Sequence, residues 1–299
     1  MTNKIISDTN NSRDRSKSHS KVILFYYASM RSTLLYDNIL RENPSIFDCV
    51  IEMPAIPYSR NKSKRDIRKI FRTLCDSPGF FFMSVLVVKV FAIFSRIFKT
   101  SIKDLCEKNN INHYYFKKID DNLIGFIRNK NPIWIISSTS TILTKEFLDL
   151  PLNGVINFHE APLPQYRGSA SYFWFIVNNE KFANTTVHYV AEKLDSGPVI
   201  YQGPEVQVLQ PTVLTLWFKM LLSHKNSWDY ILPYLINDQK IPSIDQQTSD
   251  SKVYSFPDKK NNMTLRRKKI PFINYQNIKL VLTAAMYGLD NNNNNNKNE

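Results

Sequence analysis

Short apolar runs rich in β-branched residues recur along this chain, separated by stretches long enough for a helix, and that alternation limits the fold more than any other feature. Val22–Tyr27 reads as a buried strand followed by a helical stretch near Ser32–Arg41. Cys49–Met53, Ile133–Ser137, Gly154–Phe158 and Thr185–Val190 read as four further strands. Ser101 and Asp104 have the spacing of a capping box at the start of a short helix. Strands alternating with helices predict an α/β domain with a largely parallel sheet, placed at 21–206. Pro211–Asn237 is mostly helical in pattern, and the remainder of the chain is polar and basic without clear periodicity. Residues 207–290 are therefore expected to form a partly helical C-terminal extension. Residues 1–20 and the Asn-rich 291–299 are expected to be disordered tails.

The apolar run Phe80–Phe98 needs a separate decision, because nineteen residues suffice to span a bilayer. Lys89 lies at its middle, at a cost of about 3 kcal/mol on insertion scales. The strands on either side also belong to one sheet, which a single span would divide across the membrane. A helix packed on the sheet is the expectation. The neighbouring Arg60–Arg72, with seven basic residues against the acid Asp66, makes peripheral docking on a membrane surface the alternative.

Lysine and arginine outnumber acids 39 to 26, giving a formal net charge of +13. Such a surplus suits tRNA, an anionic membrane or a phosphorylated small molecule, and does not choose among them. The three cysteines, Cys49, Cys75 and Cys106, have no metal-ligand spacing. An odd, scattered set suits a reducing compartment and argues against a disulfide framework. The first twenty residues lack the apolar core of a secretory signal, and Asp8 and Asp14 weaken a mitochondrial transit reading, so a cytoplasmic protein is expected. Neither a Walker loop nor a Gly-x-Gly-x-x-Gly fingerprint is present. The turn Tyr27–Ser32 contains no glycine, which leaves little room for a pyrophosphate against its backbone.

Chemistry concentrates in one segment. Four of the seven glycines (Gly154, Gly168, Gly197 and Gly203) fall within fifty residues, where the backbone needs positive φ or close approach. Asn157 and His159 are two apart and project from the same face of a strand. They stand at its C-terminal end, before a proline-stiffened loop, which is where ligands bind in open α/β sheets. The next strand delivers its chain to a turn bearing Asp195. An amide, an imidazole and a carboxylate then converge, with donors for a developing oxyanion and groups that carry a proton. No activated Ser or Cys accompanies them, so direct transfer fits better than a covalent intermediate.

These residues resemble a known family. Gly154-Val-Ile-Asn157-Phe-His159 followed by Leu163-Pro-Gln-Tyr-Arg167-Gly168, then Thr186-Val-His188-Tyr and Leu194-Asp195-Ser-Gly197, is similar to the folate-dependent formyltransferases, convincingly over about 132–203. The resemblance implies a Rossmann-like formyltransferase domain that uses N10-formyltetrahydrofolate as formyl donor and requires no metal. It implies Asn157, His159 and Asp195 as catalytic residues. Asn157 and His159 then hydrogen-bond the oxyanion formed on amine attack, and Asp195 holds His159 or a proton-shuttling water. Family backbone contacts to the pterin map onto Ser138, Ile142, Leu143, Ala191, Glu192 and Leu194. His188 matches a second family histidine. It and Arg167 are expected on the substrate side, although His188 also fits a supporting role and Arg167 fits a pairing with a nearby carboxylate.

Departures from the family pattern limit the acceptor assignment. His159-Glu160-Ala-Pro-Leu-Pro164 stands where relatives often show His-Pro-Ser-Leu-Leu-Pro, so contacts made by that loop differ. The glycine-free first turn is unlike the phosphate loop of glycinamide ribonucleotide formyltransferases, and 207–290 shows no recognisable C-terminal barrel pattern. The charge surplus places methionyl-tRNA narrowly first as acceptor, with a sugar amine or a ribonucleotide amine next. Hydrolysis of formyltetrahydrofolate is a further alternative, disfavoured because family hydrolases carry a domain ahead of the catalytic one that twenty polar residues cannot supply. A catalytically silent folate-binding protein is disfavoured by the intact trio.

Overall fold

The computed structural model describes residues 22–54, 78–139, 141–247, 251–255, 257 and 259–287. Strand β1 (Val22–Tyr27) leads to helix α1 (Met30–Glu42) and strand β2 (Phe47–Met53). Then come α2 (Pro78–Ile97), α3 (Ile102–Lys108), β3 (Asn112–Tyr115), α4 (Asp121–Lys130) and β4 (Trp134–Ser138). The site region holds α5 (Lys145–Leu148), β5 (Val155–His159), β6 (Tyr166–Gly168), α6 (Ser171–Val177), β7 (Phe182–Ala183) and β8 (Thr186–Tyr189). The chain continues through β9 (Val199–Gln202), β10 (Val206–Gln207), α7 (Val213–Ile236), β11 (Lys252–Tyr254), α8 (Lys259–Arg267) and α9 (Tyr275–Tyr287).

The main sheet runs β3-β2-β1-β4-β5-β8-β9. Its first five strands are parallel, and β8 and β9 are antiparallel to their neighbours. Every residue of β1 and β4 is buried, as expected of central parallel strands covered on both faces. One face packs on α1 and α7 through Leu34, Leu40, Phe218, Trp228 and Ile231. The other packs on α4 and α5 through Leu123, Ile127 and Phe147. Helix starts reflect the local chemistry: Ser29, Asp120 and Thr212 cap α1, α4 and α7, and Ser101 with Asp104 completes the expected capping box on α3.

Helix α2 packs on α9, with Val87 and Phe91 buried near Val281, Ala284 and Ala285, while Leu86, Ile93 and Ile97 face outward. Among the described residues, no helix is long and apolar enough to cross a membrane. The expected basic segment Arg60–Arg72 and the two expected tails lie outside the described residues. The C-terminal region is more ordered than its sequence pattern indicates. Its helix α7 shares the main core with the sheet across the boundary expected at 206, and β11 pairs in parallel with β6. The basic tract Lys259–Lys269 begins as α8 and buries Leu265 in a satellite core with Phe173, Phe175 and Met220.

Candidate active site

The C-terminal ends of β4 and β5 open into a cavity of about 430 Å³, closed on one side by the turn after β8. Register places the key side chains. In the antiparallel β5–β8 pair, Asn157 lies directly opposite His188, so the two share a face. Ser137 neighbours Asn157 across the parallel β4–β5 pair.

The hydrogen bonds around His188 fix its tautomer. Nδ1–H donates to the Tyr189 carbonyl at 2.7 Å, so Nε2 carries the lone pair and accepts from Asn157 Nδ2 at 3.2 Å. Burial holds the His188 pKa down at about 4, with Asp195 pulling it up and His159 pushing it further down. A neutral His188 therefore dictates which way the Asn157 amide points, and leaves the second Nδ2 hydrogen for the cavity. His188 is a positioning residue for Asn157.

His159 is anchored from its far side. Its Nε2–H donates to the Tyr166 carbonyl at 2.8 Å, which leaves Nδ1 facing Asp195 Oδ2 at 3.9 Å. That separation exceeds a hydrogen bond and leaves a place where a proton-bearing group fits between base and acid. Asp195 sits at φ +47°, a left-handed conformation that its short polar side chain tolerates. Its Oδ2 accepts the Gly168 amide at 2.8 Å, and its Oδ1 lies 3.9 Å from His188 Nε2. Gly168 is required at that point. Its φ is +101°, and a Cβ there would meet the Tyr254 carbonyl oxygen at 2.1 Å.

The cavity brings together all three residues expected to be catalytic and all six expected at the pterin: Ser138, Ile142, Leu143, Ala191, Glu192 and Leu194. Arg167 is different. It is buried and not part of the cavity wall, with Nε and Nη2 donating to the Leu194 carbonyl at 2.8 and 2.5 Å and Nη1 to Ser251 Oγ at 3.1 Å. Among the described residues it pairs with no carboxylate, and its bonds brace the turn that carries Asp195. Of the two roles expected for His188, its hydrogen bond to Asn157 fits the supporting one, and its ring also lines the cavity.

Sequence reasoning missed a further part of the cavity wall, formed by Ser29, Arg31, Glu160, Tyr172 and Trp217. The available signal was the glutamate after His159, where the family pattern has proline. Among the described residues, no cluster of three or more His, Cys, Asp and Glu side chains has metal-holding geometry.

The Asn–His–Asp site at the strand ends of this α/β sheet lies inside a stretch, residues 96–215, that matches the family model described as Formyl transferase. Methionyl-tRNA formyltransferase of Thermodesulfovibrio yellowstonii is 40% identical over 87 residues, which are 29% of this chain and 28% of that protein. The Fusobacterium nucleatum protein of the same name is 31% identical over 163 residues, 54% of this chain and 51% of that one. The chain therefore spans about half or less of these relatives' length. A sugar N-formyltransferase structure from a Shewanella species superposes with a TM-score of 0.51 at 14% identity, covering 91% of this chain and 90% of that one. At that identity the likeness bears on the fold alone.

Proposed function

We propose that this protein transfers the formyl group of N10-formyltetrahydrofolate to an amine, with methionyl-tRNA as acceptor. The observation that carries the reading is the arrangement of Asn157, His159 and Asp195 around one cavity whose wall also holds the residues expected at the pterin. The amine nitrogen bonds to the formyl carbon, the bond from that carbon to N10 breaks, and a proton passes from the amine to N10. Asn157 gives its second Nδ2 hydrogen to the formyl oxygen as negative charge develops there. His159 keeps Nε2–H on Tyr166, and once Nδ1 has taken up the amine proton that N–H turns to the same oxygen. The gap between His159 and Asp195 is where the amine proton is taken up before it reaches N10.

Two observations favour the tRNA acceptor: the names of the relatives at 31–40% identity and the net charge of +13. The test supplies purified protein with formyl-labelled donor and either methionyl-tRNA or deacylated tRNA. Label is expected on the α-amine of methionine only when the amine is present. Donor consumed equally without any amine indicates hydrolysis, and donor left intact under all conditions sinks the reading.

A further inference from the structure

Beside the Asn157–His159–Asp195 group the cavity wall carries a second charged group, built from three distant parts of the chain. Arg31 lies just past the glycine-free turn after β1, Glu160 succeeds His159, and His224 sits in the middle of α7. Arg31 engages every nitrogen of its guanidinium: Nε donates to Glu160 Oε1 at 2.6 Å, Nη1 to Ser138 Oγ, and Nη2 to the Phe158 carbonyl. Three of the five guanidinium N–H groups are engaged in this way, and the charge is already paired with Glu160.

Glu160 is not saturated in the same way. Its Oε1 takes the Arg31 bond and lies 3.8 Å from His224 Nε2. Among the described residues no donor reaches its Oε2, and the residue lines the cavity with its side chain 14% exposed. Behind it His224 is buried, with its ring against Phe158 and Nε2 without a hydrogen-bond partner. Burial and the neighbouring Arg31 hold His224 neutral, so it brings no cation.

The charge of the cavity wall therefore runs against that of the molecule. Three carboxylates, Glu160, Glu192 and Asp195, line it with one guanidinium, already paired, in a chain of net charge +13. An anion brought here meets carboxylates, and an ammonium finds an unpaired carboxylate oxygen.

We propose that this part of the cavity is the acceptor subsite, in which Glu160, fixed by Arg31 beside His159, receives the ammonium of an α-aminoacyl type of amine with no phosphate next to it. That nitrogen then gives up a proton to the His159–Asp195 gap and attacks the formyl carbon. The inference rests on the formyl-transfer reading and narrows it. Phosphorylated amino sugars and ribonucleotide amines are disfavoured at the point of attack. The phosphates of a tRNA carrier remain outside on the basic surface.

The test uses the full chain with N10-formyltetrahydrofolate and two small acceptors, methioninamide and glucosamine 6-phosphate. Wild-type protein should formylate methioninamide in clear preference. Glu160→Gln, which keeps shape and removes charge, should raise the acceptor KM about 10- to 100-fold, the scale of a lost charged hydrogen bond, with the donor KM unmoved. Glu160→Asp, which keeps the carboxylate on a shorter arm, should recover part of that loss. An acceptor KM within twofold of wild type in Glu160→Gln, or a preference for glucosamine 6-phosphate, overturns the subsite. Calorimetric titration of methioninamide separates the two failures. If no acceptor supports turnover, the transfer reading fails, while binding to wild type weakened at least tenfold in Glu160→Gln still upholds the subsite, and equal or absent binding ends it. Should Glu160→Gln not fold, the same titration on Glu160→Asp decides, with binding equal to wild type counting against the proposal.

Discussion

Two charged groups border the cavity, and each combines an arginine with a buried histidine, arranged to opposite effect. In the Asp195 group, Arg167 turns away from the cavity and clamps the Leu194 carbonyl, and both nitrogens of His188 are satisfied by Tyr189 and Asn157. In the Glu160 group, Arg31 faces the cavity and grips a carboxylate, and His224 Nε2 has no partner. The first group is complete in itself and rigid, as a site must be if it meets charge only in the transition state. The second leaves Glu160 Oε2 on the cavity wall with no donor among the described residues, which a ligand completes. The contrast assigns chemistry to one group and recognition to the other.

The largest effects should come from the Asp195 group. Asn157→Ala, His159→Ala and Asp195→Ala are each expected to lower turnover by about 100-fold or more, the usual scale for oxyanion donors and proton carriers. Circular dichroism and the melting temperature should stay close to wild type. Near-normal turnover in His159→Ala breaks the assignment of chemistry to this group.

A tenfold effect should separate the two arginines. Lysine in place of Arg167 reaches one acceptor instead of clamping Leu194 with two nitrogens, so the Asp195 turn loosens. We expect Arg167→Lys to lower kcat by about tenfold, through a lost clamp of roughly 1–3 kcal/mol, and to leave the acceptor KM alone. Arg31→Lys should do the reverse, raising the acceptor KM with kcat nearly kept. Identical kinetic signatures in the two variants would erase the distinction between the two groups.

Legibility in the sequence divides along the same line. Asn157, His159, His188 and Asp195 lie within a short stretch, and the strand period of two puts Asn157 and His159 on one face without any knowledge of the tertiary structure. A largely parallel sheet was legible because β1 and β4 are continuous apolar runs separated by stretches long enough for a helix. Arg31 and Glu160 are 129 residues apart, and no local period announces that they meet. Strands β3, β6 and β11 have four, three and three residues and alternate too briefly to show a pattern. Arg167 misled because a loop arginine in a glycine-rich motif reads as a ligand contact, whereas its partner is a backbone carbonyl that only the folded turn presents. His188 was legible as a residue but not as a tautomer, which depends on the Tyr189 carbonyl.

The histidines give a pH-dependent comparison. His188 is held near pKa 4 and His224 well below its ordinary value, both chiefly by burial. An unfolded histidine titrates near 6.5, so below that pH the unfolded chain binds protons that the native chain refuses. Stability should therefore be full above about pH 6.5 and fall as pH drops toward 4, by up to about 1.4 kcal/mol per pH unit for each histidine. His188→Gln and His224→Gln should each flatten that fall by a similar share in urea titrations at a series of pH values. Only the first should also lower kcat on a minimal amine. An unchanged slope in either variant means that histidine is not held neutral in the native state.

The smallest effect belongs to a position that serves neither group. Gly125 lies in the middle of α4, on the sheet face away from α7, and a Cβ placed there meets nothing within 4 Å. Its φ is helical rather than positive, unlike that of Gly168, so alanine keeps the same backbone. Glycine in a helix interior costs about 1 kcal/mol relative to alanine, partly through the extra freedom of the unfolded chain. Gly125→Ala should therefore raise stability by up to about 1 kcal/mol, or roughly 2–4 °C in a domain of this size, with kcat and both KM values unchanged. Alanine at Gly168 adds the same methyl group where the chain touches Tyr254 and supports Asp195, so it should lower both stability and turnover. A kinetic change in Gly125→Ala would show that the site senses the fold's general stiffness, and the contrast between the two groups would then lose its local cause.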